Sequence, residues 1–243
     1  LVAIEAPSEP SLSPLQINPE KQKQTQQRVF LSLEGLNVPQ LLSRMPEPEP
    51  LKPSGGWLMR LRKPVPPPLP TPADPEQIAA AQNRLGTTFS GDYRELLSLH
   101  DGYPSLQLLP IAQVRRLPET DYFSDENNRQ ESRTYYFFAF PPSSFEGADI
   151  EAVPGQRVWR GEELRNCAVI GGLTGVFASQ GKKETTLTEI LPTLLWCPQP
   201  AFEQARIVSL AESLWAPDFT TYLRYKVTQK VAERELAESN EAP

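Results

Sequence analysis

The chain has 243 residues and a formal net charge of −6, so it is long enough to bury a core and is only mildly acidic overall. It has no apolar run of about 18 residues that could span a membrane. Its first 20 residues are polar and proline-rich, unlike a signal peptide. We therefore expect a cytoplasmic protein without a membrane partner.

Proline marks off the first third of the chain. Sixteen of the 27 prolines lie in residues 1–75, and proline fixes φ and lacks the N–H that helices and central strands use. Residues 1–27 are predicted to be disordered or extended. The alternation over 29–33 predicts a short strand, and 38–45 predicts a helical turn or two. Residues 64–75 are interpreted as a stiff spacer, with a PxxP ligand for another module as the alternative.

The stretch from Asp74 to Gly102 has the pattern of two short helices joined by a tight turn. Asp74 suits the N-cap, Pro75 the first helical position, and Gln77 can close a capping box. Gly86 stands where a helix end favours positive φ. Apolar spacing predicts the inner faces, with Phe89 at the corner: Ile78, Ala81 and Leu85, then Tyr93, Leu96, Leu97 and His100.

Strands and one long helix are predicted for the rest of the chain. The aromatic run over 134–140 predicts a strand covered on both faces. Residues 171–175, GGLTG, are predicted to be the turn between two paired strands; without the GxGxxG pattern or a following helix they do not indicate a dinucleotide site. Further predicted strands are 106–111, 158–159, 186–191 and 194–197, a turn or short helix is predicted at 112–117, and a closing helix begins at Phe219 and reaches about Leu236.

Negative charge is concentrated in one region of the chain. Between residues 119 and 151 there are eight acids and only two arginines, which accounts for the whole net charge. Such a segment would repel nucleic acid and attract a basic protein; the alternative is a solvated loop that aids solubility. The predicted partner-binding residues are Glu119, Asp121, Asp125, Glu126, Glu131, Glu146, Asp149 and Glu151.

Two cysteines, Cys167 and Cys197, lie in apolar, strand-like segments. The first interpretation is a pair of small buried hydrophobes in a reducing compartment, and a disulfide between neighbouring strands is the alternative. Neither cysteine has the close Cys or His neighbours of a zinc site. We therefore expect no metal.

The sequence offers little for catalysis. The single histidine, His100, precedes Asp101, which allows either a carboxylate-oriented base or a packed histidine at a helix C-terminus. There is no GxSxG elbow, Walker loop or HExxH pattern. We predict a protein that is not an enzyme and takes no cofactor.

Taken in order, these pieces resemble the SUKH superfamily over roughly residues 57–228. The chain departs from the family pattern at Gln82, usually Glu, at Ser90-Gly91, usually a Pro position, and at Asp101, usually Asn. With those departures included, the residues at the family's pattern positions are Ile78, Gln82, Leu85-Gly86, Phe89 to Tyr93, Leu96-Leu97, Asp101-Gly102, Leu106, Leu108 to Ile111 with Val114, Cys167 to Gly172, and Ala211 to Ser213 with Phe219, Tyr222 and Leu223.

The resemblance implies an α+β fold, in which a twisted, mostly antiparallel sheet carries an opening helix pair and a closing C-terminal helix. It implies a protein-binding module, most often an immunity protein that neutralises a nuclease- or deaminase-type toxin domain. The alternative is a regulatory scaffold, the role that fungal members have in cell-wall signalling, with the proline-rich extension of this chain as a second docking element. The expected division is an extended N-terminal extension over 1–55, the SUKH-like domain over 56–230 and a solvated tail over 231–243.

Overall fold

Helices pack against a seven-stranded sheet, which confirms the predicted α+β class. The protein is described by a computed structural model over residues 18–46, 70–119, 134–139, 157–176, 188–198, 202 and 205–241. The helices are α1 (Pro19–Ser32), α2 (Val38–Leu42), α3 (Pro75–Leu85), α4 (Gly91–Leu99), α5 (Gly161–Leu164) and α6 (Phe219–Glu241).

The N-terminal part of the described chain is helical. Asn18 caps α1 by accepting a 3.0 Å hydrogen bond from the Glu20 N–H, and Val29 and Leu33 are buried. The predictions of an extended chain over 19–27 and of a strand over 29–33 are therefore wrong. Val29 and Leu33 are four residues apart, a spacing that puts them on the same face of a helix and also on the same face of a strand. A pattern of only five residues therefore fits both the helical period and the strand period.

The second N-terminal helix, α2, confirms the predicted helical turns. Asn37 and Gln40 form a reciprocal capping box at its start. The Arg224 guanidinium on α6 donates two hydrogen bonds to the Phe30 carbonyl, at 3.1 and 2.8 Å, and lies 3.7 Å from the Phe30 ring centroid. These contacts join α1 to the closing helix. The expected division at residues 55 and 230 stays a prediction.

The predicted helix pair is confirmed in its local details. Asp74 and Gln77 form the capping box of α3, and Gly86 ends that helix with φ of 61°. Between the helices, the Gln82 Oε1 accepts a 2.8 Å hydrogen bond from the Phe89 N–H. This bond explains how Gln can replace the usual Glu, since only the side-chain oxygen is used.

A chain of short 3₁₀ turns follows α4. The turns are Pro104–Leu106, Ile111–Gln113 and Leu117–Glu119. The predicted strand over 106–111 is wrong, because the prolines at 104 and 110 break it, and isolated bridges from Leu108 to Tyr103 and Gly171 remain. The predicted turn or short helix over 112–117 contains the end of a 3₁₀ turn and a two-residue strand.

The sheet has the order β1–β4–β5–β6–β7–β2–β3, and every pairing is antiparallel except β2 with β7. Its strands are β1 (Arg115–Arg116), β2 (Thr134–Ala139), β3 (Arg157–Arg160), β4 (Ala168–Val176), β5 (Thr188–Trp196), β6 (Ile207–Ser209) and β7 (Leu214–Ala216).

The predicted GGLTG turn is wrong, because residues 171–175 lie inside β4 and pair with β5. The register shifts at Gly171, where an added Cβ would lie 2.8 Å from the Leu194 Cβ. Glycine here marks a bulge and a close approach rather than a chain reversal. The described residues of the strands predicted over 186–191 and 194–197 accordingly lie in one strand, β5, except Cys197, which follows its last residue.

The closing helix is confirmed and runs further than predicted, to Glu241. Phe219, Tyr222, Leu223 and Val227 are buried as expected. Near the start of this helix the core is aromatic, since Phe89, Tyr93, Trp196 and Phe219 have ring centroids 5.1–5.9 Å apart in their contacting pairs.

Candidate partner-binding surface

The eight acids predicted to bind a partner lie outside the described side chains. Glu119 ends a 3₁₀ turn, and the other seven fall in residues 120–133 and 140–156, whose placement is not described. Their position along the chain is still informative. The first segment leads into β2 and the second connects β2 to β3, so both acid-rich connections join the same pair of strands.

The strands β2 and β3 form a two-stranded ribbon at one end of the sheet. They pair antiparallel from Thr134 opposite Arg160 to Phe137 opposite Arg157. The two acid-rich segments therefore enter β2 at one end of the ribbon and leave it at the other. Next to the ribbon, Phe138 and Ala139 pair in parallel with β7, and the Phe138 N–H donates a 2.9 Å bond to the Ser213 carbonyl.

One face of the ribbon is attached to the core through aromatic rings. Phe137 and Trp159 are buried, with ring centroids 5.2 Å apart. Trp159 also lies edge-on to Phe202 at 5.4 Å. Tilted and edge-on aromatic pairs of this kind bury a large apolar area and fix the packing of this strand face.

The opposite face of the ribbon exposes two apolar side chains. Tyr136 is 55% exposed and Val158 is 51% exposed, and the two residues are direct partners in the strand register. The prediction that 134–140 is covered on both faces is therefore wrong for β2. The sequence gives no signal for this exposure, because Tyr135 and Tyr136 are adjacent tyrosines and only Tyr136 is exposed.

The arginines of β3 are engaged close to the ribbon. The Arg157 guanidinium lies 5.2 Å from the centre of the Trp215 ring. Arg160 is 3.7 Å from the Glu162 carboxylate, and its N–H donates a 2.6 Å bond to Glu163. The Tyr136–Val158 pair is thus an apolar patch on the face opposite Arg157, and the acid-rich segments precede and follow β2 in the chain.

The structure places His100 in a structural position. Its Nδ1 lies 3.4 Å from the Pro70 carbonyl, and its ring stands edge-on to Tyr103 at 5.5 Å. The Asp101 carboxylate accepts a 2.6 Å bond from the Ile111 N–H instead of orienting the imidazole. This geometry favours the packed histidine at a helix end over the catalytic base.

The described residues also bear on metal binding and on membrane spans. They contain no group of three or more His, Cys, Asp or Glu that could hold a metal ion. None of the helices among them is both long and apolar enough to cross a membrane.

Asp92, a residue of the family pattern, also proves structural. One of its carboxylate oxygens accepts from the Tyr93 N–H at 2.9 Å and from the Ser90 hydroxyl. The other accepts from the Thr220 N–H at 2.9 Å and the Thr220 hydroxyl at 3.1 Å. Asp92, which belongs to the sequence resemblance, therefore holds the helices together. The ribbon carries two of the three large apolar side chains that are exposed among the described residues, and the third is Leu31 on α1.

The architecture defines an α+β domain in which a capped helix pair precedes a mostly antiparallel sheet closed by a long helix. Residues 72–150 match the SMI1 / KNR4 family (SUKH-1), which confirms the resemblance predicted from the sequence. The matched segment includes α3, α4, β1, β2 and seven of the eight predicted acids. No curated protein and no solved structure matches the chain. The family match supports an immunity-type or related role at the family level and suggests binding to a protein partner.

Proposed function

We propose that this protein is a non-enzymatic, cytoplasmic immunity-type module that binds a cognate toxin or effector and blocks its active site. The family match supports the class of function. The observation that carries the proposal further is the exposed Tyr136–Val158 pair on a ribbon whose two connections hold the acidic residues.

The partner is expected to be basic. Eight acids oppose two arginines between residues 119 and 151, and opposite charges on a partner increase the rate of encounter. Nuclease- and deaminase-type toxin domains bind nucleic acid, whose phosphates require a basic surface. An acidic segment that covers such a surface would compete with the nucleic acid for the same charges.

Within this proposal, Tyr136 is the central contact and the acids form the rim. Exposed tyrosines are enriched among the residues that dominate interface energies, while rim charges act mainly on association. Tyr136→Ala should therefore weaken binding about 30-fold or more, mainly through faster dissociation. Leu31→Ala is the matched control, because Leu31 is 58% exposed on α1 and should change affinity less than about twofold.

The charge contribution is tested by reversing Asp121, Asp125 and Glu126 to lysine. Association measured at two ionic strengths should become slower and less dependent on salt. A control variant reverses three exposed acids elsewhere, Glu34, Glu95 and Glu233, and changes the net charge equally. If both triple variants behave alike, only total charge matters. If the first leaves the on-rate and its salt dependence unchanged, the acids form a solvated loop.

A regulatory scaffold is the second candidate, and the N-terminal helices favour it. Both α1 and α2 precede the family match at residue 72, and α1 exposes Leu31. An untargeted pull-down with the full chain separates the two functions. One basic partner at about nanomolar affinity supports the immunity function, whereas several weak partners that are lost with Leu31→Ala support the scaffold.

A further inference from the structure

We propose that Cys167 and Cys197 are a modification site, at which a hydroperoxide converts two buried thiols into a reversible disulfide between β4 and β5. This inference does not depend on the proposed function. Both residues are free thiols, and their Sγ atoms are 3.3 Å apart.

The strand register brings the two cysteines together. Ala168, the first residue of β4, pairs with Trp196, the last residue of β5. Cys167 and Cys197 are the next positions on the two strands and therefore face each other. Cα atoms of antiparallel partners are about 4.5–5.5 Å apart, within the range that a disulfide spans. Closure to the S–S distance of about 2.05 Å needs a movement of little more than about 1 Å.

The backbone on both sides keeps the sulfurs in this arrangement. The Cys167 N–H donates a 2.9 Å bond to the Leu164 carbonyl, and the Cys197 N–H donates a 2.8 Å bond to the Arg206 carbonyl. Both side chains are fully buried, and the chain has no third cysteine. Each thiol therefore has the other as its reaction partner, and a thiol of a second protein cannot reach either one without local opening.

A small neutral oxidant suits this buried site. Burial and the hydrogen bond with Cys197 raise the pKa of the Cys167 thiol well above its ordinary value, so Cys167 remains protonated and donates its S–H. Cys197 is then the attacking sulfur. It bonds to one peroxide oxygen, the O–O bond breaks, and the released hydroxide takes the thiol proton to become water, or an alcohol from an organic hydroperoxide.

The second step uses Cys167 to resolve the sulfenic acid on Cys197. The Cys167 sulfur attacks the Cys197 sulfur, the S–O bond breaks, and the hydroxide leaves as water with the Cys167 proton. The two thiols together lose two protons and two electrons, which reduce one hydroperoxide to water and either a second water or an alcohol. Because the Cys167 sulfur is already 3.3 Å from the Cys197 sulfur, the disulfide should form faster than a second peroxide can oxidise the sulfenic acid to the sulfinic acid.

The experiment treats the reduced full chain with hydrogen peroxide in native buffer. Peptide mapping should find a linked pair of peptides containing Cys167 and Cys197, lighter by two hydrogen atoms and separated again by a thiol reductant. In Cys167→Ala, Cys197 should instead gain oxygen. In Cys197→Ala, Cys167 should react more slowly than either cysteine of the wild type. Circular dichroism confirms that each variant is folded.

The bond should also raise the melting temperature. It would join residues 30 apart in sequence, and a closed loop of that length predicts an increase of about 5–10 °C that a reductant reverses. Oxygen addition in the wild type without linked peptides would overturn the proposal, as would a link that forms only in urea concentrations that unfold the chain. An unchanged melting temperature in fully linked protein would refute the stabilising effect.

Discussion

Replacing Asp92 by alanine should weaken the attachment of the helix pair to the closing helix. The carboxylate receives four hydrogen bonds, and two of them come from Thr220 in the first turn of α6. Hydrogen bonds to a charged group contribute about 1.5–3 kcal/mol, and loss of a helix N-terminal acceptor costs about 0.5–2 kcal/mol. Because Asp92 is only half-buried, water recovers part of this, and we expect a loss of about 2–4 kcal/mol in the free energy of unfolding.

The measurement is equilibrium unfolding in urea followed by far-UV circular dichroism. Glu95→Ala, which removes an exposed acid from the same helix, is the control and should cost less than about 0.5 kcal/mol. Thr220→Val removes only the hydroxyl bond and should cost about 0.5–1.5 kcal/mol. The double variant with Asp92→Ala and Thr220→Val should lose less stability than the sum of the losses in the two single variants, because both remove the same hydrogen bond. If Asp92→Ala were no more destabilising than Glu95→Ala, the bridging role of this carboxylate would be refuted.

Three further predictions concern stability. Gly102 has φ of 85°, and an added Cβ would lie 2.8 Å from the Pro110 nitrogen, so Gly102→Ala should cost about 2–4 kcal/mol. Gly91→Ala, in open space at the start of α4, should be neutral or stabilise by up to about 1 kcal/mol; equal effects would contradict the argument. The Tyr93 hydroxyl is buried without a hydrogen-bond partner among the described residues. Tyr93→Phe should therefore leave the free energy of unfolding unchanged or raise it by up to about 1 kcal/mol. A loss of more than about 1 kcal/mol would show that the hydroxyl has a hydrogen-bond partner after all. Burial raises the pKa values of Tyr93 and Tyr222, and raises that of Tyr225 to about 12. As the pH rises, these tyrosines therefore ionise first in the unfolded chain, near the ordinary tyrosine pKa of about 10. Their contribution to the free energy of unfolding is fully present below that pH and falls above it by about 1.4 kcal/mol per pH unit for each tyrosine. Urea unfolding between pH 9 and 11 checks this, and a flat profile would refute it.

The features that could be predicted from the sequence are those with local causes. The α3–α4 pair could be predicted because its helix ends depend on local residues. The side chains of Asp74 and Gln77 cap the start of α3, and Gly86 takes the left-handed conformation that ends it. The closing helix could be predicted because apolar residues recur with the helical period over several turns. The resemblance built on these elements is confirmed by the match at residues 72–150.

The features that could not be predicted depend on distant parts of the chain. The helix over residues 29–32 is decided by α6, almost two hundred residues away, where Arg224 holds the Phe30 carbonyl. Gly171 looked like a turn because glycine serves turns and strand bulges equally well. The exposure of Tyr136 depends on which face of β2 meets the core, and a continuous aromatic run does not reveal that face.

The parallel pairing of β2 with β7 has a consequence for the order of assembly. Among the described residues it consists of Phe138 opposite Leu214 and Ala139 opposite Trp215, partners far apart in sequence whose contact carries a high loop-closure cost. The antiparallel β6–β7 pair is local and can form first, so the ribbon docks late and opens before the rest of the sheet. Amide hydrogen exchange would show this as weaker protection of 134–137 than of 207–209. A surface attached in this way can change its outward residues without rebuilding the core that supports it.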